Sequence, residues 1–119
     1  MKIETKISFY LANNTIRIFK STIRFMGEPK FIRFRISEDR KSMILEPYHK
    51  KTFTSFKIPK NLFDYGGSMQ VHSKAFCSLL AAQLNWNAEC SYRIVGGLLH
   101  KPKQMAIFDL TSAEVIRQE

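Results

Sequence analysis

The sequence predicts an α+β domain. The expected sheet is antiparallel, built from two hairpins plus one or two extra strands, and packed against a central amphipathic helix over 74–86. A basic N-terminal helix over 15–26 and a short C-terminal helix complete it. Three observations predict this. Residues 31–36 (FIRFRI) alternate at period two, residues 74–86 (KAFCSLLAAQLNW) repeat at helical period, and Gly and Pro punctuate the chain between them. A length of 119 residues with 45% apolar content and ten Phe fits one domain, 1–119, with a core of its own.

In order along the chain, Asn14 suits an N-cap, and Ile16, Phe19, Ile23 and Met26 share one helical side. Arg17, Lys20 and Arg24 gather on the other side, Gly27 sits at a helix stop, and Pro29 forbids continuation. The competing reading of this region is a hairpin, KISFYL–ANN–TIRIF, for which the β-branched content argues. The two-sided pattern and the Gly-x-Pro stop favour the helix. Phe31–Ile36 and Met43–Glu46 make a hairpin around the polar SEDRKS turn. Thr52–Pro59 and Ser68–His72 read as further strands. Ser73 is an N-cap for the central helix, whose stripe is Phe76, Leu79, Leu80 and Leu84. Ser91–Leu99 and Gln104–Leu110 form a second hairpin, with a bend at Gly96-Gly97. Thr111-Ser112-Ala113-Glu114 has the form of a capping box, which predicts the final helix. The stretches FRISEDRKSMILEP (34–47) and YRIVGGLLHKPKQMAIFDL (92–110) share an aromatic-Arg-Ile, a turn, then Met with aliphatics. Hairpins share such patterning, and a duplicated unit would also give it.

Charge is the distinctive property. The chain carries 19 Lys/Arg against 10 Asp/Glu, a net charge of +9. Residues 1–60 hold 14 of the cations and 5 of the acids, so the whole excess lies in that half. A one-sided positive field concentrates polyanions, of which nucleic acid is the commonest. The expected contact surface comprises Arg17, Lys20, Arg24, Lys30, Phe31, Arg33, Arg35, Arg40 and Lys41. Arginine binds phosphate in bidentate fashion, and Phe31 on the same strand face as Arg33 and Arg35 offers a stacking surface. Such a surface tracks a phosphate backbone and reads little base sequence.

Other chemistries lack their signatures. The five glycines never form a phosphate-binding loop, and no paired Cys/His spacing suggests zinc. Cys77 falls on the flank of the central helix stripe and reads as a buried thiol. No nucleophile elbow or paired carboxylate appears, so the chain reads as non-enzymatic, with no cofactor and no metal. Two thiols, the lack of a signal-like start and the lack of an 18-residue apolar run lead to the expectation of a cytoplasmic protein with no membrane partner.

IPKNLF (58–63) and the run from Ser73 through LNW (84–86) to SYRIV (91–95) resemble fragments of the AbrB/SpoVT swapped-hairpin transition-state regulators. The Ile-Pro-Lys and the helix stand in separate units here, the usual Gly after Leu84 is Asn85, and the helix is longer. The resemblance implies DNA binding. The alternative is a small oligomeric assembly module with no nucleic-acid role, using Trp86, Tyr92, Phe63 and Tyr65 as an aromatic contact patch and an edge strand to pair with a second copy.

Overall fold

Alternation, not helical period, governs the N-terminal residues. In the computed structural model, which describes residues 5–52, 55–60, 62, 67–100 and 104–116, strand β1 (Lys6–Tyr10) turns back into β2 (Thr15–Phe19). Ile7 faces Ile18 and Phe9 faces Ile16 across the ladder, and all four are fully buried. The turn closes with Asn14 at φ +53, a left-handed conformation that Asn tolerates better than most residues. The β-branched Thr15, Ile16 and Ile18 suit this pleated surface better than a helix. The expected helix over 15–26 is therefore corrected to a strand followed by a six-residue helix, α1 (Lys20–Phe25).

The stop read at Gly27 is present. Glu28 N–H donates to Ile23 O and Gly27 N–H to Arg24 O, with Gly27 at φ +88. This is a Schellman ending, and Pro29 follows it. Beyond it, β3 (Phe31–Ile36) and β4 (Ser42–Tyr48) form the expected hairpin, from Ile36↔Met43 to Phe31↔Tyr48. Then come β5 (Ser55–Lys57), β6 (Ser68–His72), α2 (Lys74–Leu84), β7 (Ser91–Val95), β8 (Leu98–His100), β9 (Met105–Asp109) and β10 (Glu114–Ile116).

Among the described residues the strands form two five-stranded antiparallel sheets. Sheet A has the order β10-β7-β1-β2-β6, and sheet B the order β5-β3-β4-β9-β8. Their inner faces meet in one core: Ile7, Phe9, Ile16, Ile18 and Ile94 from sheet A, Ile32, Met43, Leu45 and Phe108 from sheet B. The fold class is thus corrected from one sheet with three helices to a mainly antiparallel β architecture with, among the described residues, one substantial helix, α2. The expected C-terminal helix is also absent among the described residues. Asp109 accepts from Thr111 N–H at 2.9 Å, capping a single 3-10 turn (Leu110–Ser112) before the chain extends as β10.

The central helix is close to its prediction. Ser73 Oγ accepts from Phe76 N–H at 3.2 Å, and Asn85 ends the helix at φ +56. Cys77 and Leu80 are buried, with Phe76, Ala81 and Leu84 packed beside them; Leu79, expected in the stripe, is 42% exposed. Burial pushes the Cys77 thiol up to about 11.

The two halves of the chain share an element order when β7/β8 and β9/β10 are each counted as one interrupted strand. The order strand–strand–helix–strand–strand occurs in β1-β2-α1-β3-β4 and again in β5-β6-α2-β7/β8-β9/β10. Equivalent strands β2 and β6 pair with each other, as do β4 and β9. The first strand of each half crosses over: β1 pairs with β7, and β5 with β3. Each half is thereby completed by the other. The bend between β7 and β8 lets one strand serve both sheets. Gly96 takes φ +82, and a Cβ on Gly97 would lie 2.5 Å from the Phe108 ring.

Candidate nucleic-acid interface

The inward residues of β1, β2, β6 and β7 leave an alternate set on the outer face of sheet A. Lys6, Ser8 and Tyr10 come from β1, Arg17 and Phe19 from β2, Ser68, Gln70 and His72 from β6, and Arg93 from β7. Register places them in rows. Ser8 stands opposite Arg17 on one side and opposite Arg93 on the other. The two arginines are therefore two strand spacings apart, about 9.6 Å at Cα.

Each guanidinium is held by a serine. Arg17 Nε–H donates to Ser68 Oγ at 2.7 Å, and Arg93 Nε–H donates to Ser8 Oγ at 2.9 Å. Both also lie by the Phe19 ring, with the Arg17 and Arg93 guanidinium carbons 4.9 and 5.6 Å from its centroid; Lys6 Nζ stands at 5.4 Å. Ring faces attract cations, so Phe19 helps to hold the cluster in place. Tyr10 lies at the other end of the same face. Burial acts to raise its phenol, but hydrogen bonding and charge from Arg17, with hydrogen bonds from Ser8 and Arg93, bring it below its ordinary value. Among the described residues, no carboxylate forms an ion pair with Arg17 or Arg93; Glu114 on β10 stands opposite Arg93 in the ladder.

The outer face of sheet B differs. Phe31, Arg33 and Arg35 do share one side of β3, as their spacing predicts. However, Glu46 on β4 lies between the arginines: Arg33 Nε–H donates to it at 2.6 Å, and Arg35 Nε is 3.3 Å away. Arg33 also stacks over Tyr48 at 4.5 Å. One carboxylate thus offsets part of the charge of both.

The structure divides the nine expected contact residues among separate places. Arg17 lies on sheet A. Lys20 and Arg24 are on α1, where they line a surface recess of about 340 Å³ with Ser21 and Phe25. Lys30 precedes β3, and Phe31, Arg33 and Arg35 lie on sheet B. Arg40 and Lys41 are exposed in the turn after β3, which Asp39 organises; the Ser37 hydroxyl and the Lys41 amide hold its carboxyl below the usual range. The expectation of one continuous surface from residues 17, 20, 24, 33 and 35 is not met, because Arg17 belongs to the opposite sheet from Arg33 and Arg35.

Lys6, Tyr10, Phe19 and Arg93 were missed by the sequence reading. The signal was present in three alternating segments, KISFY, TIRIF and SYRIV, each with a cation two residues from an aromatic or serine on the same face. Arg93 was overlooked because its half of the chain is neutral. The aromatic contact patch is also partly displaced. Trp86 stacks on Tyr92 at 4.4 Å and packs against Phe9 at 5.4 Å, so both help to close the core; Phe63 and Tyr65 lie outside the described residues.

Among the described residues, no group of three or more His, Cys, Asp or Glu is placed to share a metal, and no helix is long and apolar enough to cross a membrane. Comparison with family models, curated proteins and solved structures finds no match.

Proposed function

We propose that this chain is a non-enzymatic nucleic-acid-binding protein that grips the phosphate backbone with the outer face of sheet A. The observation that carries this reading is the Arg17–Ser8–Arg93 row: two guanidinium groups held by serine hydroxyls, with Glu114 opposite Arg93 in the β7–β10 ladder but in no ion pair with it among the described residues, in a chain of net charge +9. Fixed arginines lose little side-chain freedom on binding phosphate, and their planar N–H groups match its oxygens. The charge that the sequence locates in the N-terminal half contributes Arg17 and Lys6, and the crossed pairing of the two halves adds Arg93.

Fluorescence anisotropy with labelled single-stranded and duplex oligonucleotides, measured from low to physiological salt, tests the reading. Binding to at least one of them, weakening linearly on a log–log salt plot, is the expected result. Absence of binding to both at low salt rejects it.

A further inference from the structure

We propose that the preferred ligand of this face is a single-stranded rather than a duplex nucleic acid, an inference that rests on the function proposed above. The argument is the order of groups along the central strands. Tyr10 stands opposite Thr15, and Phe19 is four residues further along β2, so the two aromatic residues are about 13 Å apart along the strand direction and one strand spacing apart across it. Arg17, Ser8 and Arg93 lie between them. A strand of nucleic acid running along β2 meets an aromatic ring, a pair of guanidinium groups and a second aromatic ring in succession.

That sequence of surfaces matches a flexible single strand. Its phosphates reach the arginines while its unpaired bases turn down onto the flanking aromatic residues. The Arg17 guanidinium carbon lies 4.9 Å from the Phe19 centroid, so a base that reaches Phe19 also meets the arginine. A duplex keeps its bases stacked inside, so Tyr10 and Phe19 have no partner there. The face is also a sheet surface, with half-buried Tyr10, Arg17, Phe19 and Arg93. Positive charge supplies complementarity to either form, and the aromatic pair decides between them.

The test uses the full chain, a labelled 12-nucleotide oligothymidylate and a labelled 12-base-pair duplex at equal salt. The wild type is expected to bind the single strand at least tenfold more tightly. Phe19→Leu keeps apolar bulk and removes the ring; it should weaken single-strand binding roughly tenfold or more, as a lost base–aromatic stack does, and weaken duplex binding several-fold less, so that the single-strand preference shrinks. Tyr10→Leu provides a second variant at the other end of the row with the same expected pattern, and circular dichroism verifies that each is folded. Equal or tighter duplex binding, or loss of both ligands in parallel, overturns the single-strand inference and leaves the nucleic-acid reading standing. Failure of the wild type to bind either ligand removes both.

Discussion

Replacing Arg17 and Arg93 together by Gln removes the two cations on which phosphate contact depends. Each phosphate contact on a single strand contributes about 0.7 to the slope of log affinity against log salt, so the double variant should flatten that slope by about 1.4. Between 50 and 200 mM salt, the parent then loses about sevenfold more affinity than the variant. At the lower salt, screened hydrogen bonds to phosphate of about 1 kcal/mol each make the variant roughly 30-fold weaker. The substitutions also forfeit the serine hydrogen bonds and the contact with Phe19, a loss of about 1 kcal/mol in stability at this half-exposed site. Anisotropy titrations at four salt concentrations, with thermal unfolding as a control, give the slope and the folding check. A variant that stays folded and keeps the parental slope would refute the assignment of phosphate contact to these arginines.

Other consequences follow from the core and from the titrating groups. Leu80→Ala should cost about 2–5 kcal/mol, because Leu80 is fully buried beneath α2; urea denaturation measures it. Gly97→Ala drives a methyl into the Phe108 ring and should destabilise by about 1–3 kcal/mol, and an unchanged urea midpoint would show that the ring can move aside. Tyr10 should ionise below the ordinary tyrosine value of 10.0, seen as an early phenolate absorbance step that Tyr10→Phe abolishes. Because its folded value is depressed, its stabilising contribution is fully present above the unfolded value and is lost as pH falls through the folded one.

The sequence was most legible where one local rule met no competitor. The Ser73 cap, the apolar face of α2 apart from Leu79, the β3–β4 hairpin and the Gly27 stop all rest on neighbouring residues, and all appear in the fold. Residues 15–26 were misread because their apolar positions fit a helix and a strand about equally well. What decides is Ile7 and Phe9, which pair with Ile18 and Ile16. The C-terminal capping box failed for a similar reason. Tyr92 and Arg93 offer a ladder to residues 114–115, and Asp109 takes the local cap. The candidate site was legible only in part. Arg17 was read as cationic surface, but its partner Arg93 is 76 positions later in the chain, and only the pairing of β1 with β7 brings it near. Glu46, which offsets Arg33 and Arg35, is likewise joined to them by the β3–β4 ladder.

A titration of isotopically labelled protein with the 12-nucleotide oligothymidylate, followed amide by amide by nuclear magnetic resonance, locates the bound strand directly. The largest shifts are expected on Lys6, Ser8, Tyr10, Arg17, Phe19 and Arg93, with Phe31, Arg33, Arg35 and Tyr48 nearly still. Shifts concentrated on β3 and β4, with sheet A unmoved, would contradict the account.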